Sequence, residues 1–359
     1  MSESEQAVKL LQDLIRTPSF SKEEYGTRKV LAEFLEKKGI EFTNVKNNLF
    51  ALNKHFDPGL PTLLLNSHHD TVKPNAGYTR DPFEPDNIDG KIYGLGSNDA
   101  GGALVALIVT FCSFYDQKEL PVNLILGISA EEEISGPNGA ELLLQNIPKV
   151  NAGIVGEPTS GEAAVTEKGL LVLDCTVTGK AGHAARSEGE NAIYKAMQDI
   201  EWFRSFEFPE TSNLLGPIHM NVTVIKAGSQ HNVVPDVCEY TVDIRTTDAY
   251  TLEETLQIID KNTIAEVKPR SLRLRPSALR QDHVLYKAAE KCGFRMFGSP
   301  TLSDQARMPF PTIKIGPGDS SRSHSPDEFI FIHQIEQGIN DYKKLIESYF
   351  KLNTNETLG

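Results

Sequence analysis

Side chains that can bind a metal ion recur at the ends of apolar runs in this sequence. The run "PTLLL" (61–65), for example, is followed directly by "NSHHD". The residues of this kind that follow apolar runs are His68, Asp70, Glu131, Glu132, Glu133, Glu157 and His324. Asp99 joins them from "YGLGSNDAGG", a glycine-rich turn that leads into a helical stretch. Because ligands of open α/β sheets gather beyond the carboxyl ends of the strands, we expect these groups to converge on one crevice.

The chemistry of such a cluster is that of a divalent cation site. Carboxylates brought together without a cation repel one another and are costly to desolvate, whereas divalent cations offset both costs. Imidazole together with carboxylate oxygens suits zinc, cobalt or manganese, while calcium normally takes oxygen ligands alone. The composition of the cluster predicts two metal ions, by default zinc, each with one histidine and one terminal carboxylate and with a shared aspartate.

Each motif also has a purely structural interpretation when it is taken alone. "HHD" could be a polar strand end, and "EEE" could be an exposed acidic start of a helix. "GLGSND" is not a dinucleotide fingerprint, because Asp99 stands where the third glycine should be, so a plain turn is the alternative. Glu157 before Pro158 could be a turn residue, and His324 in "DSSRSHS" could be a loop histidine. The recurrence of such residues after successive apolar runs favours a site.

The elements that must position these residues change character twice along the chain. Up to about residue 165, short apolar runs alternate with helical stretches such as 101–115, which predicts α/β structure with a mainly parallel, buried sheet. The segments that instead alternate apolar and polar residues, as in an antiparallel sheet covered by helices, are 170–179, 218–228 and 238–246. From about residue 280 the first style resumes, ending in a terminal helix predicted from Phe329 onward.

We therefore predict an α/β catalytic domain that is discontinuous in sequence, with a smaller α+β domain inserted into it. The catalytic domain comprises residues 1–166 and 278–359, and the inserted domain comprises residues 167–277.

Composition excludes several classes of function. The 359 residues carry 36 Lys and Arg against 49 Asp and Glu, a formal net charge of −13, which disfavours a nucleic-acid partner. The start of the chain has no basic stretch leading into an apolar core, and no apolar run approaches the length of a membrane span. The four cysteines lie far apart, so neither a zinc ribbon nor a disulfide framework is indicated. A reducing cytoplasm is the expected location.

The same residues resemble those of a known family, the co-catalytic zinc metallopeptidases and deacylases that include glutamate carboxypeptidase, aminoacylase, succinyl-diaminopimelate desuccinylase and acetylornithine deacetylase. The resemblance covers nearly the whole chain and implies a zinc-exopeptidase-like catalytic domain with an inserted dimerisation and lid domain. It implies that Asp70 orients His68 and that Glu132 is the general base. The metal ligands that it implies are His68, Asp99 and Glu157 on one ion and Asp99, Glu133 and His324 on the other.

The middle segment carries further parts of the resemblance. "GKAGHAARSEGENAI" (179–193) is similar to the family segment whose histidine, here His183, reaches the active site of the partner subunit, which implies a homodimer. The family commonly has a proline shortly after this histidine, and here the next residues are "AARS". "HNVVP" and "DIR" match segments that bind the substrate carboxylate, through Asn232 and Arg245. For Arg245 the alternative is a surface arginine on a strand.

The resemblance also implies the reaction, which is amide hydrolysis. A water molecule shared by two divalent ions is the expected nucleophile, Glu132 accepts its proton, and a metal ion with His183 holds the oxyanion. Within the family the sequence is most similar to acetylornithine deacetylase, because of the stretch 301–330, where Ser303 and Arg322 are candidate substrate contacts. The expected substrate is an N-acyl amino acid of arginine biosynthesis, with N-acetylornithine as the leading candidate. The acyl group, acetyl or succinyl, and the amino acid, ornithine or citrulline, stay open.

Two other functions remain open at this stage. A dipeptidase or aminopeptidase could use the same metal centre, and a binding module could hold metal without catalysis. The presence of Glu132 argues against the binding module, since binding alone needs no general base.

Overall fold

The computed structural model describes residues 1–186 and 188–356, so Ser187 of the segment after His183 lies outside the described residues. The helices are Glu3–Ile15 (α1), Tyr25–Lys37 (α2), Gly102–Phe114 (α3), Ala140–Leu144 (α4), Ala192–Ser205 (α5), Leu252–Asn262 (α6), Val284–Lys291 (α7) and Ile332–Glu356 (α8). The strands are Thr43–Val45 (β1), Asn48–Leu52 (β2), Thr62–His68 (β3), Asn87–Ile88 (β4), Lys91–Tyr93 (β5), Asn123–Ser129 (β6), Ala152–Gly156 (β7), Ala163–Glu167 (β8), Gly169–Thr178 (β9), Gly182–His183 (β10), His219–Ala227 (β11), Val233–Val234 (β12), Val237–Thr246 (β13), Glu266–Pro269 (β14), Ser277–Ala278 (β15), Met296–Ser299 (β16), Thr312–Ile315 (β17) and Phe329–Phe331 (β18).

The chain divides into two compact units. The first unit comprises residues 1–165, 279–297 and 303–359, and the second comprises residues 166–278 and 298–302. The role of the second unit in dimerisation or as a lid stays a prediction.

The first unit is built on a mixed sheet with the strand order β1-β2-β6-β3-β7-β17-β8. The four central strands, β6, β3, β7 and β17, run parallel to one another. Strand β3 is buried along its whole length, as expected for a parallel strand that is covered on both faces. Because the four strands are parallel, their carboxyl ends meet at one edge of the sheet.

Helices α3 and α8 supply much of the core of the first unit. Helix α3 is buried on nearly all sides. Helix α8 buries Ile335, Ile339, Tyr342 and Ile346, which follow one another at intervals of three or four residues and so form one apolar stripe. The expectation that no apolar run approaches the length of a membrane span needs correction. The segment Ser97–Phe114 is long and apolar enough to cross a membrane by length and composition, with a mean hydropathy of 1.3. This segment is 78% buried inside the protein, as is usual for a core helix.

The second unit contains a four-stranded antiparallel sheet with the order β11-β13-β9-β14. Strands β9 and β13 alternate buried and more exposed residues. The buried face packs against α5 and α6 through residues such as Leu173, Val242, Phe203 and Ile259. The predicted α/β fold with an inserted α+β unit is thus confirmed.

The predicted terminal helix was wrong in its first three residues. Phe329 to Phe331 form strand β18, which pairs antiparallel with β5, and the helix begins at Ile332. The stretch "FIFIHQI" fits a strand period at its start as well as a helix period, and the pairing with β5 decides between them.

Candidate metal centre

The carboxyl ends of the parallel strands bring the candidate ligands of the first unit together. His68 is the last residue of β3, and the acidic run 131–133 follows β6 after a single residue. Glu157 follows β7 directly, and the loop after β17 carries His324. The acidic run forms a turn and not the start of a helix, and Glu131 is buried there with a left-handed φ of 53°.

The carboxylate of Asp99 lies between the two histidines. His68 Nε2 is 3.4 Å from Asp99 Oδ1 and 3.9 Å from Glu157 Oε1. His324 Nε2 is 3.6 Å from Asp99 Oδ2 and 2.9 Å from Glu133 Oε2. Each oxygen of one carboxylate thus faces a different imidazole, with a further carboxylate beside each. The arrangement offers two adjacent groups of ligand atoms that share Asp99.

The donor set fits divalent cations. His68 Nδ1 lies 2.9 Å from the carbonyl oxygen of Asp70, which assigns the proton to Nδ1 and leaves a lone pair on Nε2. Nε2 is buried and has no hydrogen-bond partner within residues 1–186 and 188–356. A lone pair that faces carboxylate oxygens calls for a cation between them. Ligand atoms of His68, Asp99 and Glu133 all lie within 4.8 Å of one another, so one ion could contact all three.

The electrostatics point the same way. Burial raises the pKa of Glu157 to about 8, and the nearby charge of Asp99 adds to this effect. Burial likewise raises the pKa of Glu132 well above its usual range, and Glu157 and Asp304 contribute. The hydrogen bond with Glu133 raises the pKa of His324 to about 9. These pKa shifts arise because several carboxylates lie close together with little access to solvent. Bound divalent cations would offset the resulting repulsion and desolvation cost.

Asp70 connects the end of β3 to the acidic run. Its side chain is fully buried. Its carboxylate accepts hydrogen bonds from Ser21 Oγ at 2.7 Å, from the Glu132 amide at 3.0 Å and from the Glu133 amide at 3.2 Å. Burial raises the pKa of Asp70, but the interaction with His68 and these donors outweigh burial and hold the pKa below its usual value. One carboxylate therefore sets the backbone position of both Glu132 and Glu133.

A second buried carboxylate holds the turn that carries Asp99. Glu328 Oε1 accepts hydrogen bonds from the amides of Asn98 and Asp99, each at 2.8 Å, and Oε2 accepts one from the Gly96 amide at 3.0 Å. Burial, followed by the charge of Asp99, raises the pKa of Glu328 to about 8, although these three donors counteract the rise. Sequence reasoning missed Glu328, whose only signal is a charged residue directly before the apolar run of β18.

His69 belongs to a buried network on the other side of β3. Its Nε2 lies 3.0 Å from the Asn47 carbonyl oxygen and its Nδ1 lies 2.9 Å from Thr27 Oγ1. Asn47 Nδ2 donates to Glu24, which also accepts the amide of Glu131 at 3.2 Å. Burial lowers the pKa of His69 to about 4, so the imidazole is neutral at pH 7. Through the bond from the Glu131 amide to Glu24, the network holds the first residue of the acidic run in place.

Asp304 was also missed by sequence reasoning. It is buried, and its Oδ2 accepts hydrogen bonds from Ser129 Oγ at 2.5 Å and from Asn66 Nδ2 at 2.9 Å. Its charge adds to the rise in the pKa of Glu132. No sequence pattern marks it, because its partners are a serine and an asparagine inside strands β6 and β3.

Two predicted substrate contacts of the first unit have local partners. Ser303 is buried and its Oγ accepts the Gln305 amide at 3.3 Å. Arg322 donates to Gln334 Oε1 at 3.0 Å, and its guanidinium lies 4.6 Å from the ring centre of Phe329. Their role in substrate binding stays a prediction.

The other predicted contacts belong to the second unit. His183 is exposed on β10, which pairs with β12, and its Nδ1 accepts the Ala185 amide at 3.2 Å. Asn232 is exposed beside β12, and its carbonyl oxygen accepts the Ala184 amide at 3.1 Å. Arg245 pairs with Asp243 at 2.9 Å on β13. Their roles toward a substrate also stay predictions.

The fold and the geometry of this centre agree with the protein family that the sequence matches. The chain belongs to peptidase family M20/M25/M40, whose sequence pattern matches residues 64–348. It is accordingly a metal-dependent hydrolase of the M20 family, and the resemblance inferred from the sequence is confirmed.

Similar proteins divide among several activities. The chain is 30% identical to acetylornithine deacetylase of Proteus mirabilis, over 95% of this chain and 96% of the relative. It is 26% identical to succinyl-diaminopimelate desuccinylase 2 of a Ruegeria species, over 96% and 95% of the two chains. Aminopeptidase PepT of Bacillus cereus has a similar structure, with a TM-score of 0.75 and 20% identity, over 96% and 98% of the two chains. The YXEP protein of Bacillus subtilis, a dinuclear metal-binding peptidase, has a TM-score of 0.70 and 17% identity, over 96% and 97%.

Proposed function

We propose that this protein removes the N-acyl group from an N-acyl amino acid, with N-acetylornithine as the leading substrate. The observation that carries this proposal is the carboxylate of Asp99 between His68 and His324, with Glu157 and Glu133 beside the two imidazoles. These five residues are the proposed ligands of two divalent cations, with zinc as the default and cobalt or manganese as alternatives. A place in arginine biosynthesis and a cytoplasmic location belong to the same proposal.

When bound, the cations supply the positive charge that lowers the pKa of a water molecule and polarises the amide carbonyl. Glu132 is the proposed general base. Its amide is held by Asp70, and its carboxylate has a pKa raised well above the usual range, which favours holding a proton between its removal from water and its delivery to the departing amine. His183 is the proposed oxyanion contact, supplied by a second subunit.

Glu132→Gln tests this assignment. We expect kcat to fall by about 10²- to 10⁴-fold, the usual contribution of a general base, while the metal content of the protein is unchanged. Glu131→Gln is the control, because the Glu131 carboxylate binds Asn138 at 2.9 Å and is not part of the ligand group. Amine release that continues at the wild-type rate in Glu132→Gln, with metal bound, would show that Glu132 is not the base.

The acyl group and the amino acid are the finer part of the proposal. The relatives named acetylornithine deacetylase and succinyl-diaminopimelate desuccinylase differ from this chain at about 70% of positions or more, and a few pocket contacts decide between such substrates. Amine release should be measured on acetylornithine, succinylornithine, succinyl-diaminopimelate and acetylcitrulline, and on a set of dipeptides. Cleavage of dipeptides alone would favour the second candidate, a dipeptidase or aminopeptidase with the same centre.

A homodimer is proposed through the second unit. Strand β11 is an edge strand of its sheet, and it exposes Val224 and Ile225. Helix α5 exposes Tyr194 and Met197. An exposed apolar edge strand is open to pairing with another chain, which supports this surface as the subunit interface. Ile225→Lys should then give a monomer in light scattering, whereas a dimer that persists would exclude β11 from the interface.

A further inference from the structure

The turn that carries Asp99 takes its shape from a carboxylate more than 200 positions away. Within four residues, the amides of Gly96, Asn98 and Asp99 all donate to Glu328, at 3.0, 2.8 and 2.8 Å. Glu328 is only 2% exposed. Gly96 has a left-handed φ of 73°, which helps several amides of this turn to point toward one acceptor group. Carboxylates that accept several backbone amides make some of the stronger hydrogen bonds in proteins.

Glu328 lies on the same loop as His324, four residues further on. Asp327 anchors this loop independently of the ligand group, because its carboxylate accepts the amides of Thr79 at 2.9 Å and of Arg80 at 3.0 Å. The carbonyl oxygen of His324 accepts Asn75 Nδ2 at 3.1 Å. The same anchored loop therefore places the His324 imidazole beside the Asp99 carboxylate and the Glu328 carboxyl group beside the Asp99 backbone amide.

We propose that Glu328 is a positioning residue for the shared carboxylate of Asp99. By binding the three amides, it fixes the backbone from which the Asp99 side chain extends, so that Oδ1 faces His68 and Oδ2 faces His324. Without it, the turn can rotate and at least one of these two approaches, now 3.4 and 3.6 Å, is lost. This inference rests on the metal centre of the proposed function.

A purely structural role makes a different prediction. If Glu328 only stabilised the fold, its loss would lower the thermal stability and leave metal affinity intact. The second unit offers a matched case in Asp199, a buried carboxylate that accepts the amides of Ile264 and Ala265 at 3.0 Å each and the hydroxyl of Tyr240 at 3.0 Å. Asp199→Asn therefore reports what loss of such an anchor does when no ligand depends on it.

The experiment compares Glu328→Gln and Glu328→Asp with Asp199→Asn in the full chain, with zinc alone as the probe. Each protein is equilibrated with buffered zinc, and bound zinc is counted and titrated. We expect two zinc ions in the wild type and in Asp199→Asn, and a 10- to 100-fold weaker affinity for at least one ion in Glu328→Gln, the usual effect of removing a partner behind a ligand. Glu328→Asp keeps the carboxyl group but is one methylene shorter, so its zinc affinity should lie between those of the wild type and Glu328→Gln. This variant provides the test if the glutamine variant does not fold.

Amide hydrogen exchange on the metal-free proteins gives a second readout. The amides of Gly96, Asn98 and Asp99 should exchange faster in the Glu328 variants and at the wild-type rate in Asp199→Asn. Wild-type zinc affinity in both Glu328 variants would overturn the inference and leave the proposed function standing. A wild type that binds no zinc and cleaves none of the amides would instead overturn the proposed function, and the exchange rates would still decide whether Glu328 holds the turn.

Discussion

Asp70→Asn separates the support of the metal centre from the stability of the fold. The Asp70 carboxylate accepts Ser21 Oγ and the amides of Glu132 and Glu133 at 2.7, 3.0 and 3.2 Å. Asparagine has nearly the same size, but it has one acceptor oxygen and an NH₂ group that must face at least one of these donors. The substitution therefore keeps the packing but removes the acceptor of at least one of the three hydrogen bonds.

The expected magnitude follows from the number of bonds. A hydrogen bond to a charged group contributes about 1.5–3 kcal/mol, so losing one and weakening the others should cost about 3 kcal/mol. For a unit of this size such a loss lowers Tm by about 6–12 °C. Because the amides of Glu132 and Glu133 shift as well, kcat/KM for the acylated amino acid should fall by roughly 10- to 100-fold.

The pH dependence of the stability loss has a definite sign. The folded pKa of Asp70 is depressed below 3.8, so the carboxylate stabilises the fold fully above that value and loses this contribution as the pH falls through the lower folded pKa. The difference in Tm between wild type and Asp70→Asn should therefore be present at pH 7 and shrink only in acid.

Thermal unfolding, kcat/KM and zinc content are the measurements, and Asp199→Asn is the matched control. Asp199 also accepts two amides and one hydroxyl, so its variant should lose comparable stability and keep its activity. The reasoning is refuted if Asp70→Asn loses Tm to the same degree as Asp199→Asn and keeps its kcat/KM.

Three further predictions concern pH, metal and backbone. Burial lowers the pKa of His69 to about 4, so the fold should lose about 3 kcal/mol as the pH falls from 6.5 to 4, and His69→Gln should flatten this part of the Tm profile; an unchanged slope contradicts the buried neutral imidazole. A chelator should lower Tm, and zinc at about 100 times its Kd should restore about 2.7 kcal/mol, whereas a Tm indifferent to both excludes tight binding to the folded state. Gly318 has a φ of 93°, and a Cβ there would lie 2.5 Å from Asn98 Oδ1, so Gly318→Ala should cost about 1–2 kcal/mol by thermal unfolding, and no loss would mean that the loop adjusts freely.

The fold and the ligand candidates could be predicted because both rest on patterns that the side chains carry themselves. The apolar run before His68 predicts a buried strand, and the parallel arrangement brings the strand ends together. The structure also gives the adjacent histidines separate partners, the Asp70 carbonyl oxygen for His68 and the Asn47 carbonyl oxygen for His69. The strand at 329–331 was missed because three residues cannot establish a period, and only pairing with β5 decides their conformation.

Unlike Asp70, three other supporting carboxylates could not be predicted. Glu24 and Glu328 each bind backbone amides, and an amide has no signature in the sequence, since every residue except proline carries one. Their partners lie 107 and 232 positions away, so no local window contains both sides of the contact. Asp304 is similar, because its partners are Ser129 and Asn66, which are ordinary polar residues in buried strands.

The hydrogen bond between Glu328 and the amide of Asp99 also limits how early the centre can form during synthesis of the protein. The two residues are 229 positions apart, which at about 5–20 residues per second corresponds to roughly 10–45 s of translation. During that interval the emerging chain holds His68, Asp99 and the acidic run without the carboxylate that shapes the Asp99 turn. The centre can therefore mature only after translation has passed residue 328, however early the surrounding strands have formed.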